Sequence, residues 1–470
     1  MKRIHQLLYT GLLFIGLTGC SKYLDKLDNP NLVTDPPLNG LLAQNTYNTG
    51  YNVYRMGYTA SYFMQYQASS TKGSDTDIYN EVDYSTSWTA IYSTMMNLQQ
   101  MLNKAAQDNA YHHVGVGKIM MAYNLNMLIN AFGDVPYSEA LKGGELLVPK
   151  FDDQATLHAT SMNLLDEGIA ELQKTGASLN LDAAGDVIHG GNVAAWIKTA
   201  HALKARFMNQ LTRKASYNAG NVLTELNSAY ASNSDDAMMT VFRGRSPWNQ
   251  VAYNNTVLLL DGWLSEQFVD ALDGTTFGVE DPRLPLIATL TQFGDYRGTP
   301  NGAGRIGTGT DDEESYLSVN GYYSRGNAPL ALVTYAEMKF IEAEAAFRAD
   351  DKPRAYAAYL AGIAAHMNKM GVPAADRDAY LSEPSVSVGE ANITLELIAK
   401  EKYVAMFLHP ESWVDGRRFD YNYKDFELPE GAVLNTFIRR LAYPNVEFSR
   451  NGANVPDISG LDERLAFDKP

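Results

Sequence analysis

Apolar residues recur along much of this chain at steps of three and four, the spacing that lines one face of an α-helix. Met121, Leu125, Leu128 and Phe132 form one such stripe, which Gly133-Asp134-Val135-Pro136 stops. Trp196, Ala200, Leu203 and Phe207 form another, directly after Gly190-Gly191-Asn192. Ala336, Phe340, Ala343 and Phe347 are followed, after a short Asp-Asp-Lys-Pro turn, by Tyr356, Leu360, Ile363 and Met367. Two consecutive helices with alanines where they should cross predict a hairpin of tetratricopeptide type, although the strict repeat signature is absent. Tyr47, Tyr51, Tyr54, Tyr58, Tyr62 and Tyr66 place six rings along one helix face. A stripe of this kind is more often a packed face than a ligand platform. Residues 69–84 break the pattern with Gly, Ser and Asp and predict a loop.

Between the helical stretches lies a segment, about residues 216–330, poor in periodicity and rich in Gly, Pro and Asn. A long irregular insertion in a helical chain usually carries function, because it escapes the packing rules of the scaffold. The expected architecture is mainly α. A single domain over residues 41–470 carries this insertion, with the hairpin and C-terminal scaffold at 331–470.

The N-terminus carries a different signal. Lys2 and Arg3 precede an apolar run at residues 7–17, too short to span a bilayer, and Leu17-Thr18-Gly19-Cys20 closes it with the only cysteine of the chain. The pattern resembles a bacterial lipoprotein signal. Residues 1–19 would then be removed, Cys20 would carry lipid, and residues 20–40 would form a tether containing Asn29-Pro30 and Asp35-Pro36-Pro37. Ser21 in the following position favours the outer membrane. With its cysteine lipidated, the protein has no disulfide and must be held together by its core.

The formal net charge of -16 opposes binding to phosphate backbones and anionic lipid, which excludes nucleic acid as an expected partner and leaves lipid to hold the protein at the membrane. Tyrosine is over-represented, with 29 residues against 17 phenylalanines. A ring with an apolar face and a polar tip suits surfaces that bind sugars or peptides in water.

Motifs for catalysis fail on context. Gly302-Ala303-Gly304-Arg305-Ile306-Gly307 matches the dinucleotide fingerprint in letters, but lacks the buried strand before it and the helix after it. Ser69-Ser70-Thr71-Lys72 sits in a loop without partner motifs. The histidines show no zinc spacing, and Asp75, Asp77 and Glu81 lack the glycine turn and closing glutamate of a calcium loop. No metal or cofactor is expected. Glu401 stands on an apolar stripe with Leu397, Val404 and Leu408, where a carboxylate needs a cation. Arg417 or Arg418, just beyond Trp413, is the expected partner in a structural ion pair.

An ordered set of short motifs runs through these segments. It comprises the lipobox with Asn29-Pro30-Asn31, Trp88-x3-Tyr92-x4-Asn97, Phe132-Gly133-Asp134-Val135-Pro136-Tyr137, and Gly190-Gly191-Asn192-x3-Trp196 with Leu203-Lys204-Ala205-Arg206. Asp281-Pro282-Arg283-Leu284, Tyr335-Ala336-Glu337 with Ile341-Glu342-Ala343-Glu344-Ala345, Ile398-x2-Glu401-Lys402-Tyr403-x9-Trp413-x3-Arg417-Arg418 and Arg440-x2-Tyr443-Pro444-x2-Glu447 complete it. The set resembles the SusD/RagB-like family of nutrient-binding outer-membrane lipoproteins over nearly the whole mature chain. The resemblance implies a tetratricopeptide-like scaffold with an irregular ligand-binding half. It also implies capture of oligosaccharides, or in some cases peptides, as an extracellular lid on a SusC-like, TonB-dependent barrel, without catalysis. A surface-anchored glycan hydrolase is the rival reading.

Binding residues in this family follow no fixed motif, so the candidates rest on chemistry. Trp248 and Trp263 flank or lie in the insertion, Tyr322 and Tyr323 lie near its end, and Trp88 follows the 69–84 loop. Aromatic faces stack on sugar rings while nearby Asn, Asp and Arg bind hydroxyls. Trp196 and Trp413 read as core.

Overall fold

The structure, a computed structural model, describes residues 35–257, 262–308 and 312–470. The signal segment, Cys20 and most of the tether lie outside the described residues. Pro37, in extended conformation, caps helix α1 (Leu38–Phe63), so the first helix begins inside the stretch expected to be tether. Helices α2 (Ser85–Gln107), α3 (Tyr111–Phe132), α4 (Gln154–Leu172), α5 (Val193–Asn209) and α6 (Ala219–Leu226) follow, each packed on the one before it. The stop signals act as their chemistry requires. Gly133 ends α3 at φ 89°, a conformation that disfavours a side chain, and the Asn192 side chain caps α5 by accepting from Ala195 N–H.

The chain then enters the irregular segment, which holds strand β2 (Ala237–Met239), helix α7 (Pro247–Thr256), strand β3 (Trp263–Leu264) and helix α8 (Glu266–Leu272) before leaving through strand β4 (Leu330–Val333). β2 and β4 pair antiparallel, with Ala237 opposite Val333 and Met239 opposite Leu330, so the segment leaves and rejoins the scaffold at one place. β3 pairs with β1 (Gln67–Ala68), just after α1, and draws the same segment along the first helix. Helix α6 falls within the stretch expected to be irregular but packs on α5 and on α9 (Tyr335–Arg348), as part of the helical array.

Helix α9 pairs with α10 (Lys352–Met370) in the expected hairpin. Gly362 lets the helices close, since a Cβ there would come within 2.9 Å of the Phe340 ring. Helices α11 (Ala374–Ser382) and α12 (Leu395–Ala405) extend this layer, α13 (Glu411–Arg418) returns to pack on α1, and α14 (Asn445–Asn451) lies near the end of the chain. No helix among the described residues is long and apolar enough to cross a membrane.

The motif residues scattered along the sequence meet as buried ion pairs. Arg206 of α5 donates from Nε and Nη2 to Glu337 of α9 at 2.6 and 2.5 Å, and Arg418 of α13 grips both oxygens of Glu344 at 2.8 Å. The ion pair expected between Glu401 and Arg417 or Arg418 is not formed. Glu401 instead accepts from Arg283 Nη2 at 2.6 Å, from Lys400 Nζ at 2.7 Å and from the Tyr380 hydroxyl at 2.7 Å. Arg418 is spent on Glu344 and Asp415, while Arg417 lies over the Trp413 ring and donates to the carbonyls of Asn130 and Arg439. The reason is geometric: α13 points Arg417 toward the end of α3 and Arg418 toward α9, whereas Glu401 on α12 faces Asp281-Pro282-Arg283 of the irregular segment.

Candidate functional site

Helix α1 has two working faces. Leu42, Val53, Met56, Ala60 and Phe63 enter the core, and Asn52 fixes the helix there by donating to Thr94 at 3.1 Å and to Asn124 at 3.0 Å. The adjoining face carries Tyr47, Tyr51, Tyr54, Tyr58 and Tyr62, all half-buried. Their ring centroids follow one another at 5.7, 5.8, 6.1 and 5.6 Å, a ladder about 22 Å long at 1.5 Å per residue. The sixth tyrosine of the stripe, Tyr66, leaves it. The helix ends at Phe63, Gln65 turns left-handed at φ 49°, and Tyr66 is buried against Tyr403 at 4.6 Å.

The irregular segment supports the ladder from the side. Met239 of β2 lies against Gly50, where a Cβ would meet its sulfur at 2.7 Å. Trp248, in the first turn of α7, sets its ring edge-on to Tyr54 at 4.9 Å and stacks on Tyr58 at 6.0 Å. At 3% exposure Trp248 is a buttress beneath the rings. Beside it a cavity of about 40 Å³, enough for a few waters, is lined by Val53, Tyr54, Trp248, Tyr322, Tyr323 and Phe407 among others.

The polar wall of this cavity is tied to the scaffold. Arg283 Nη1 lies 3.2 Å from His366 Nδ1, and because a guanidinium can only donate, Nδ1 accepts. His366 Nε2–H therefore donates to the Tyr323 hydroxyl oxygen at 2.7 Å. Burial, with the neighbouring guanidinium of Arg283, holds the imidazole neutral, well below its ordinary pKa. Tyr323 is thus fixed through His366 to the Arg283–Glu401 pair.

Four arginines surround the rings, each over a tyrosine. Arg243 lies 5.7 Å from the Tyr47 ring, Arg55 5.0 Å from Tyr51, Arg245 4.3 Å from Tyr253 and Arg325 5.0 Å from Tyr322. Ser246 N–H donates to the Gly326 carbonyl at 2.8 Å, which brings the loops carrying Arg245 and Arg325 together.

The structure therefore gathers three of the five aromatic candidates, Trp248, Tyr322 and Tyr323, around one cavity with Tyr54. The other two stand apart. Trp263 is 1% exposed and packed on Tyr316 at 5.0 Å, so it presents no face to a ligand. Trp88 is buried among Tyr92, Phe132 and Phe151, with its indole N–H on Glu447 at 3.1 Å, at the floor of a separate groove of about 550 Å³. The ladder, by contrast, has rings that are only half-buried. Its period is plain in the sequence, but the same period serves packing, and only the position of the stripe beside the core separates the two roles. Among the described residues no group of three or more His, Cys, Asp or Glu side chains is arranged to hold a metal.

A helical-repeat scaffold presenting a row of aromatic rings defines a class of protein, and the comparisons place it. A family model described as "Starch-binding associating with outer membrane" matches residues 30–444, and the chain belongs to this SusD-like family. A SusD/RagB family protein from Bacteroides thetaiotaomicron is similar to it in structure, with a TM-score of 0.75 and 20% identity, over 92% of this chain and 99% of that one. A SusD homologue from Bacteroides fragilis has a TM-score of 0.76 and 22% identity over 93% and 100%. A chitin-binding SusD homologue from Flavobacterium johnsoniae has a TM-score of 0.76 and 18% identity over 91% and 98%. At these identities the likeness is one of fold. No curated protein matches the chain.

Proposed function

We propose that this protein is a surface-exposed outer-membrane lipoprotein, anchored through Cys20, that captures oligosaccharides on the α1 tyrosine ladder and delivers them to a SusC-like, TonB-dependent transporter. The ladder carries this reading: five rings in a row, fixed on a scaffold helix, offer stacking surface to successive sugars without ordering a loop. The lipobox and the outer-membrane description of the family support the anchor, and the chitin-binding relative supports a glycan ligand. The carboxylate lining the cavity, Glu337, is engaged by Arg206, and Lys369 on its wall is engaged by Asp236, which favours binding over acid–base chemistry.

One observation favours the hydrolase reading. Asp270 lies in a cleft of about 440 Å³ with Glu266 and Asp425, and burial together with Asp273, Glu266 and Asp425 pushes its carboxyl up to about 6. That cleft is lined by polar side chains, with no aromatic ring to hold a sugar.

Calorimetric titration with malto-, cello- and chito-oligosaccharides and mixed peptides tests the proposal, with Tyr51→Ala beside the natural chain. Saturable glycan binding weakened about tenfold in the variant, with the glycan intact after overnight incubation, is expected. Cleavage of the glycan, abolished by Asp270→Asn, would establish the hydrolase; binding of peptides alone would replace the ligand class.

A further inference from the structure

The arginines around the ladder point to the charge of the ligand. In an acidic protein most arginines are taken up by carboxylates, and here Arg206, Arg213, Arg283, Arg297, Arg348, Arg354, Arg377, Arg418, Arg439, Arg440 and Arg464 all stand at salt-bridge distance from one. Seven arginines among the described residues have no such partner: Arg305 and Arg450, Arg417, which lies over Trp413, and Arg55, Arg243, Arg245 and Arg325, which lie over tyrosines. Of the last four, Arg243, Arg245 and Arg325 are exposed. Arg55 donates only to the Asn52 side chain, and burial, the largest influence on it, lowers its pKa.

Stacking on a ring holds a guanidinium's plane in place and leaves its edge, the N–H fork that fits a carboxylate or sulfate, directed outward. A sugar hydroxyl can accept from such a fork, but a carboxylate or sulfate fills it with two parallel, charge-assisted hydrogen bonds, so the forks favour an anionic glycan over a neutral one. Their concentration here, in a chain of net charge -16, goes against the general field of the molecule and is a local feature of the ring surface.

We propose that the ligand is an anionic glycan, with acidic groups projecting from sugars that stack on the ladder and pairing with Arg243, Arg245, Arg55 and Arg325. This rests on the reading of the ladder as a glycan surface and adds its charge class. Uronate carboxylates and sulfate esters share this chemistry.

The test is titration of the full-length chain in detergent with oligogalacturonate, chondroitin sulfate oligosaccharides, and neutral cello- and chito-oligosaccharides of matched length, at low and high salt. Arg243→Gln/Arg245→Gln is measured in parallel. Expected is binding of one acidic class at least tenfold tighter than any neutral one, weakened by salt, and reduced about tenfold in the double variant with neutral binding unchanged. The preferred acidic class separates the carboxylate from the sulfate source. Equal or better binding of neutral glycans, or a double variant without effect on acidic ones, would overturn the charge assignment while leaving the ladder as a glycan surface. Silence toward every glycan would remove the ladder reading itself. Arginine-dependent binding to phosphatidylglycerol vesicles without glycan binding would assign the arginines to a lipid surface instead. An unchanged urea midpoint of the double variant shows that it folds, since its side chains are exposed.

Discussion

Replacing Glu401 by glutamine tests how the irregular segment is joined to the scaffold. The carboxylate is fully buried and receives Arg283, Lys400 and Tyr380 at 2.6–2.7 Å. Removing one partner of a buried pair costs about 3–5 kcal/mol. Arg283 would still hold Asp281 through Nε at 2.8 Å and Nη2 at 2.5 Å, which argues for the lower end. The titration of the group gives a second route to the magnitude. Burial pushes the carboxyl up, but Lys400 and Arg283 more than offset this and hold it at about 2, against an ordinary 4.5. That displacement corresponds to about 3 kcal/mol. A carboxyl depressed in the folded state stabilises it above the unfolded pKa and loses that contribution as pH falls through the folded one. Urea titrations should therefore show Glu401→Gln less stable by about 3 kcal/mol at pH 7, with the difference roughly halved at pH 3. An equal loss at both pH values, or a loss under about 1 kcal/mol at pH 7, would refute the claim that ionic pairing with Arg283 and Lys400 carries this junction.

Gly57→Ala should destabilise by about 1–3 kcal/mol in the same assay, because a Cβ there falls within the carbonyl of Leu408 and would push α1 away from the turn after α12. Trp248→Ala should cost about 3–5 kcal/mol as a buried aromatic truncation and also lower glycan affinity, whereas Trp263→Ala should cost a similar amount with affinity unchanged; calorimetry beside urea titration separates them. Asp270→Asn should raise stability at pH 8. The carboxyl is raised to about 6 by burial and by Asp273, Glu266 and Asp425, so its favourable contribution is present below pH 3.8 and lost as pH rises through 6. The two proteins should converge at pH 3, and a gain that persists there would contradict the assignment.

Much of this was legible in the sequence because it is local. The stripes ending at Phe132 and starting at Trp196, and the hairpin through Ala343 and Ile363, depend on residues three or four apart, and the helices form there. The ion pairs depend on folded distance. Arg417 and Arg418 are near Glu401 along the chain, yet the observed partner, Arg283, is 118 positions away in an irregular segment with no period to orient it. The candidate tryptophans fall to the same limit. Nothing in the neighbours of Trp263 along the chain shows that it packs under Tyr316, because that contact is made by chain returning 53 residues later. The tyrosine stripe was visible, but a period of three and four reports a face and not what meets it. The pairing of β2 with β4 beside α1 decides that.

The two parts of the site differ in what holds them, and this assigns them different tasks. The tyrosines stand on a helix clamped by Asn52 on its inner face and by the returning α13, so their spacing exists before a ligand arrives and stacking carries little ordering cost. Arg243, Arg245 and Arg325 stand on irregular backbone, joined by the Ser246–Gly326 bond and by Asn249 donating to the Ser324 carbonyl, and are placed over rings. Contacts made by such exposed charges are screened by salt and individually small, whereas stacking on aromatic faces is not screened. The ladder should therefore set a floor of affinity common to all chains that stack on it, and the arginines should set the preference among them. In such a division, substitutions of the α1 tyrosines weaken every ligand together, and substitutions of the arginines change which ligand is preferred.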